Sequence, residues 1–226
     1  AYLDGRDEEP YIMVGSQFRY LYKLNWQGQI MQEELLYFYG IEDMVFTDLD
    51  GDGKDEGVIG LEYSRYNYWE DHSVANIGQI SRGWKVVRLL EPVEDGERPA
   101  VLLGTKKNQL VLTQHEGQLT AKWERNTGGE VNDIQAGDFN GDGQAEILLG
   151  SDGYQYQVYD REGSLKWRAT LDGRVQQVPG WTDGGETYYL AATDHGGFYM
   201  LDESGEEAAF YRFAAPIAGI PVGPQN

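Results

Sequence analysis

Short apolar runs that end in a small residue recur along the chain and define its period. They occupy 11–15, 57–60, 100–104, 146–150 and 189–192, and their last residues are 45, 44, 46 and 42 positions apart. Segments of alternating apolar and polar residues follow most of these runs, as in Tyr154–Tyr159, and such alternation is typical of antiparallel β-strands. Each interval accommodates four short strands and their turns.

Two further features repeat with the same period. A glycine expected in a turn stands 13 residues after four of the five runs, at positions 28, 117, 163 and 205. The second repeat has no such glycine, and its matching turn is assigned to 81–83, ten residues late. A preceding strand with two apolar residues three apart is predicted in most repeats, at Ile41/Met44, Val131/Ile134 and Val175/Val178. The first repeat lacks this strand, and the C-terminal segment 217–222 carries the same pattern.

These features predict an all-β protein, a five-bladed β-propeller of four-stranded blades whose ring is closed by the C-terminal strand joining the N-terminal blade. Such closure removes exposed sheet edges. The sequence predicts a single domain over 1–226. The predicted blades are 217–226 plus 1–36, 41–90, 91–124, 131–169 and 175–213. Five blades of a longer propeller remain the alternative. Trp123 and Trp167, on predicted fourth strands, are expected to pack between blades.

Two acidic segments share one spacing, and we name them the first acidic loop (48–56) and the second acidic loop (138–146). Polar side chains stand at positions 1, 3, 5 and 9, with glycine at positions 4 and 6. Oxygen donors in a tight, glycine-containing turn fit a hard cation, and Ca²⁺ accepts six to eight of them. We therefore predict two Ca²⁺ sites, with position 7 contributing its backbone carbonyl. The predicted ligands are Asp48, Asp50, Asp52, Lys54, Glu56, Asp138, Asn140, Asp142, Gln144 and Glu146.

The spacing resembles the calcium loop of FG-GAP or VCBS-type repeats in integrin-like β-propellers. In that family the ion lies between the first and second strands of a blade, which is where both loops fall. An EF-hand is excluded because position 12 is Ile59 or Leu149 rather than an acidic residue. The turn-plus-tryptophan segment 159–167 also resembles PQQ-like propeller blades. The resemblance implies fold and ion more specifically than function.

Charge and composition limit the partners. The net charge of −20 disfavours nucleic acid and anionic membranes, and no apolar run is long enough for insertion into a membrane. There is no cysteine, and no nucleophile elbow or phosphate-binding motif is present. We therefore predict no catalytic residue. Weak Ca²⁺ sites fill where calcium is millimolar, which favours an extracellular, cell-surface or periplasmic location.

An aromatic-rich loop face is the predicted binding surface, on the side opposite the acidic loops. Tyrosine and tryptophan provide contact area at low entropic cost for protein and sugar partners. The candidates are Tyr37, Tyr39, Tyr63, Arg65, Tyr66, Tyr68, Trp69, Tyr154 and His195. We predict a calcium-stabilised binding or adhesion module for a protein or glycan, as a monomer or within a larger surface assembly. A carbohydrate-active enzyme or lectin is the alternative, and a purely structural domain is a third.

Overall fold

The fold consists of short strands separated by turns. The computed structural model describes residues 3–4, 11–36, 40–62, 66–70, 73–75, 83–92, 96–183, 186–217 and 219–220. Every regular element in these ranges is a β-strand. Among the same residues, no helix is long and apolar enough to cross a bilayer.

The first two sheets are antiparallel, and each orders its four strands as they occur in the chain. The first contains β1 (Leu3–Asp4), β2 (Tyr11–Gly15), β3 (Tyr20–Leu24) and β4 (Ile30–Leu35). The second contains β5 (Ile41–Thr47), β6 (Glu56–Leu61), β7 (Tyr66–Glu70) and β8 (Ser73–Ala75).

Three more sheets follow in the chain. The third contains β9 (Trp84–Leu90), β10 (Ala100–Thr105), β11 (Gln109–His115) and β12 (Leu119–Asn126). The fourth contains β13 (Val131–Gly137), β14 (Glu146–Ser151), β15 (Gln155–Tyr159) and β16 (Leu165–Thr170). The fifth contains β17 (Val175–Gln177), β18 (Gly180–Asp183), β19 (Glu186–Thr193), β20 (Gly197–Leu201) and β21 (Glu207–Arg212), with β17 and β18 both pairing with β19.

The chain forms two compact units. One takes the described residues up to Pro92 with 96–103 and 112–122, and the other takes 104–111 and the described residues from Trp123 onward. In both units burial follows strand position. The second strands β6 and β14 are buried along their whole length, whereas the fourth strands β4 and β16 alternate and β21 is exposed throughout. Continuous apolar runs therefore form the sheet interiors.

The glycine that ends an apolar run makes room for the next sheet. A Cβ added to Gly104 would lie 2.5 Å from Cγ1 of Val131, and one added to Gly150 would lie 2.8 Å from Cγ1 of Val175. Gly15 meets Ile41 in the same way, at 2.7 Å. Glycine is required there because the first strand of the following sheet packs directly on the backbone.

One hydrogen bond recurs three times with the period of the repeat. A side-chain oxygen near the start of a sheet accepts a backbone N–H 43 to 45 residues later. The pairs are Asp43 with Val87 (3.0 Å), Asp133 with Val178 (3.1 Å) and Gln177 with Ile220 (2.6 Å). The C-terminal segment thus contacts the fifth sheet as the fifth contacts the fourth.

Two tryptophans on fourth strands pack on the following sheet. Trp123 Nε1 donates to the carbonyl of Arg161 at 3.2 Å, beside Gly163. Trp167 packs against Gly205 and stacks on Tyr156, with ring centroids 5.5 Å apart. A Cβ on either glycine would collide with the indole, so these turn glycines are constrained by packing as well as by their positive φ.

The first sheet corrects one prediction. Its first strand was expected to be missing, but β1 pairs with β2, with Leu3 opposite Ile12 and Asp4 opposite Tyr11. Two residues are enough for this ladder, and so short a strand shows no hydrophobic periodicity. The C-terminal residues 217 and 219–220 are described and form no strand.

The second and third sheets correct two more predictions made from the sequence. The matching turn of the second repeat was predicted at 81–83, which is wrong: Glu70 pairs with Ser73, so the turn lies between β7 and β8. β8 begins 13 residues after Gly60, whereas the fourth strands of the other sheets begin 15 residues after the end of their apolar runs. β9 belongs to the third sheet, so the predicted blade limit at residue 90 is also wrong. The turn lacks the glycine that marks the other repeats, and the Trp84/Val87 pair is a first-strand pattern that the sequence analysis missed.

Candidate functional site

The first acidic loop joins β5 to β6 and is held by its own side chains. Asp48 accepts the backbone N–H of Gly51 at 2.6 Å and that of Gly53 at 2.9 Å. Asp50 accepts the N–H of Asp52 at 3.0 Å. The glycines have φ of 82° and 90°, a region that favours glycine, which explains their place between the acidic positions.

Three carboxylates of this loop converge. Asp48, Asp50 and Glu56 each offer an oxygen within 4.8 Å of the others. Glu56 is only 2% exposed and accepts the N–H of Leu49 at 2.8 Å. Burial raises the pKa of Glu56 to about 7, against the lowering effect of the Leu49 N–H, and the carboxylates of Asp50 and Asp52 raise it further. Such a donor set fits a hard divalent cation.

The second acidic loop joins β13 to β14 and repeats this geometry. Asp138 accepts the N–H groups of Gly141 at 2.7 Å and Gly143 at 2.9 Å, and these glycines have φ of 75° and 83°. Asn140 Oδ1 accepts the N–H of Asp142 at 3.0 Å. Glu146 is 1% exposed and accepts the N–H of Phe139 at 3.2 Å.

Position 7 is exposed in both loops. The N–H of Lys54 donates to Asp52 and that of Gln144 donates to Asp142, each at 2.8 Å. These bonds fix the backbone where a carbonyl ligand was predicted and leave both side chains at the surface.

The fifth sheet supports the second acidic loop. The carbonyl of Phe139 accepts the hydroxyls of Thr182 at 2.9 Å and Thr187 at 3.1 Å. Nearby, burial raises the pKa of Tyr189, and the carboxylates of Glu146 and neighbouring acids raise it further. The second acidic loop is therefore stabilised by hydrogen bonds from the fifth sheet as well as by those within its own turns.

In the second acidic loop the buried glutamate is paired with a lysine. Lys166 Nζ lies 2.9 Å from Oε1 of Glu146. The amide nitrogen of Asn140 donates to the same oxygen at 3.2 Å and to Asp142 at 3.3 Å. Sequence reasoning missed Lys166, because its contact with Glu146 depends on the register of β15 and β16 and not on spacing along the chain.

Most of the predicted partner residues fall where side chains are not described. Tyr37, Tyr39, Tyr63 and Arg65 lie outside the described residues. Tyr66, Tyr68 and Trp69 lie in β7, which is hydrogen-bonded to β6 and β8. They were predicted to lie on a loop face, which is wrong for these three residues, because they form the third strand of the second sheet.

Tyr154 and His195 occupy corresponding turns, between the second and third strands of the fourth and fifth sheets. Tyr154 is 44% exposed and has a φ of 62°, which is unusual for a bulky residue. His195 is exposed, and its Nδ1 lies 2.8 Å from the carbonyl oxygen of Asp172. Arg174 lies between the turns, 3.9 Å from Asp152 and 3.8 Å from Asp194. We call Tyr154, Arg174 and His195 the turn cluster.

The comparisons with known proteins agree with this architecture. An FG-GAP repeat matches residues 131–159, which include the second acidic loop. A search of the curated proteins finds no match.

Solved structures similar to the chain are β-propeller proteins. BBS1N in complex with ARL6DN, in a crystal soaked with mercury, has a TM-score of 0.74 at 9% identity, over 96% of this chain and 69% of that chain. A crystal of the same complex soaked with lead has a TM-score of 0.65 at 12% identity, over 95% of this chain and 68% of that chain. Sqt1 of Saccharomyces cerevisiae has a TM-score of 0.73 at 14% identity, over 99% of this chain and 65% of that chain. The chain thus contains an FG-GAP repeat in an all-β, propeller-like fold.

Proposed function

We propose that this chain is a non-catalytic, protein-binding module on a closed five-bladed β-propeller, stabilised by two Ca²⁺ ions and located outside the cell, at its surface or in the periplasm. The observation that carries the proposal is the FG-GAP match over a loop whose geometry is repeated at 48–56. The similar BBS1N domain was solved in complex with another protein, which supports a protein partner over a substrate.

Three features support five blades in a ring. Five antiparallel sheets follow one another along the chain at the period of the repeat. The first strand of one sheet packs on the glycine of the sheet before it, as with Val175 on Gly150. The backbone N–H of Ile220 donates to Gln177 as that of Val178 donates to Asp133, which supports a C-terminal segment that follows the fifth sheet as the fifth follows the fourth.

The calcium proposal rests on the donor chemistry of both loops. Asp48, Asp50 and Glu56 would hold the first ion, and Asp138, Asn140 and Glu146 would hold the second. Asp52, Lys54, Asp142 and Gln144 complete the predicted sets. An ion bound with a Kd tenfold below its free concentration stabilises the folded state by about 1.4 kcal/mol per site. The role of the ion is therefore structural.

Thermal unfolding tests this proposal. The protein stripped of metal should gain stability on addition of calcium, and the double variant D50A/D142A should gain little, because each change removes a side-chain ligand. The variant Glu207→Ala, at an exposed site on β21, should respond like the wild type. An equal calcium response in D50A/D142A and in the wild type would refute the metal sites.

The turn cluster is the part of the proposed binding face that the structure describes. Exposed tyrosine and arginine are frequent anchors of protein interfaces. Replacing Tyr154 and Arg174 by serine should weaken binding of the physiological partner at least tenfold without lowering the unfolding temperature. A glycan array in calcium separates the alternatives, because glycan binding without turnover would make the chain a lectin and turnover would make it an enzyme.

A further inference from the structure

Lys166 places a positive charge at the buried glutamate of the second acidic loop. Its ammonium lies 2.9 Å from Glu146 Oε1, and the Glu146 side chain is 1% exposed while that of Lys166 is 39% exposed. The ammonium therefore occupies part of the space in which a metal ion would meet this carboxylate.

A bulge in β16 puts the lysine there. Val158 pairs with Trp167 and Tyr159 pairs with Leu165, so Lys166 is an extra residue in the ladder. β-bulges redirect side chains in this way. In the second sheet Tyr68 pairs with Ala75 and Trp69 with Val74, without a shift, so within the described strands β7 and β8 no residue takes the bulged position of Lys166.

The second difference between the loops is at position 3. Asp50 in the first loop contributes a carboxylate, whereas Asn140 contributes a neutral amide that donates to Glu146 and Asp142. The carboxylates of the second acidic loop thus already accept hydrogen bonds from N–H donors of the loop and, at Glu146, from the Lys166 ammonium. The first loop brings three carboxylates within 4.8 Å of one another.

We infer that Lys166 is a built-in counter-ion of the second acidic loop, so that calcium fills the first loop before the second and must displace the Lys166 ammonium to bind Glu146. This inference rests on the calcium proposal above. The second acidic loop, in the fourth sheet, is then stabilised by an ion pair in the absence of metal. The first acidic loop, in the second sheet, depends on the metal ion. The ammonium already neutralises Glu146, and a competing cation of like charge lowers affinity for the ion.

The test is calorimetric titration of metal-stripped protein with CaCl₂. The wild type should show two dissociation constants that differ at least tenfold, and D142A should lose the weaker one. Lys166→Met should tighten the weaker constant by about ten-fold and leave the stronger one unchanged. Lys122→Met is the matched control: Lys122 precedes Trp123 as Lys166 precedes Trp167, but its ammonium pairs with Glu116, so both constants should stay within about twofold of the wild type.

A readout without calcium accompanies the titration. In metal-free buffer Lys166→Met should unfold at a lower temperature than Lys122→Met, because the buried Glu146 loses its counter-ion, and calcium should abolish this difference. Lys166→Gln retains a hydrogen-bond donor for Glu146 and gives the same comparison if the methionine variant does not fold. Constants in Lys166→Met equal to those of Lys122→Met would overturn the inference and leave the calcium sites standing. Absence of binding in every variant would overturn both.

Discussion

Oε1 of Gln177 accepts the backbone N–H of Ile220 at 2.6 Å, as Oδ2 of Asp133 accepts that of Val178 at 3.1 Å. A bond that repeats with the period of the fold indicates that the C-terminal segment follows the same packing rule as the strands before it. The segment therefore contributes to stability even though its described residues form no ladder.

A double-mutant cycle measures this contribution. Gln177→Met removes the acceptor, and Ile220→Pro removes the donor. Each should lower the free energy of unfolding by about 1 kcal/mol, with a coupling of similar size because both remove the same bond. Urea unfolding gives the four values. Additive effects would contradict the shared bond.

Packing of one sheet on the glycine of another gives the second prediction. Gly150→Ala should destabilise the protein by about 1–3 kcal/mol, because its Cβ would meet Cγ1 of Val175 at 2.8 Å and the carbonyl oxygen of Val175 at 3.0 Å. Gly137→Ala is the control, since its Cβ would lie 3.6 Å from the Phe139 ring, an ordinary contact. It should change stability by no more than about 0.5 kcal/mol. Equal losses in chemical denaturation would disprove the argument.

The tryptophans give the third prediction. Trp167→Ala should cost about 2–3 kcal/mol, less than a fully buried tryptophan, because it removes the stack on Tyr156, the edge contact with Tyr189 and the packing on Gly205. Trp26→Ala, at a side chain 55% exposed in the turn between β3 and β4, should change little. Differential scanning calorimetry compares them, and a similar fall in Tm for both would show that Trp167 is not a packing residue.

The turn that carries Tyr154 gives the fourth prediction. Tyr154→Gly should raise the free energy of unfolding by about 0.5–1 kcal/mol, because glycine adopts a φ of 62° without the cost that a Cβ imposes. The fifth sheet has Gly196 in the corresponding turn, with a φ of 78°. Gly196→Ala should therefore be destabilising. A loss of stability in Tyr154→Gly would mean that the ring is needed for packing.

Residue spacing predicted the repeat because a small residue is needed at the end of most apolar runs. It predicted the two acidic loops because their turns need glycine between oxygen-bearing side chains. Gly15, Gly104 and Gly150 mark the period since a neighbouring strand packs on each. The third strand of the second sheet was misassigned because its turn to β8 lacks glycine. Lys166 could not be found from spacing, since a bulge that depends on the β15–β16 register directs it to Glu146.

Glu56 gives the last prediction, a pH dependence in the absence of metal. Its pKa is raised from 4.5 to about 7, so between these values the folded state binds the proton that the unfolded state releases. The free energy of unfolding contributed by this group must therefore fall as pH rises from 4.5 to 7, by up to about 3 kcal/mol. Glu56→Gln cannot ionise, so the difference between wild type and variant should shrink at low pH and favour the variant above pH 7.

Urea unfolding at several pH values measures that difference, with Glu207→Gln as an exposed control that should follow the wild type. At pH 8 calcium should make the wild type more stable than Glu56→Gln. The ion stabilises the ionised Glu56 carboxylate, which is unfavourable in the metal-free protein, whereas the amide of the variant is a poorer ligand. A wild type that remains less stable than Glu56→Gln at pH 8 in saturating calcium would show that Glu56 does not contact a bound ion.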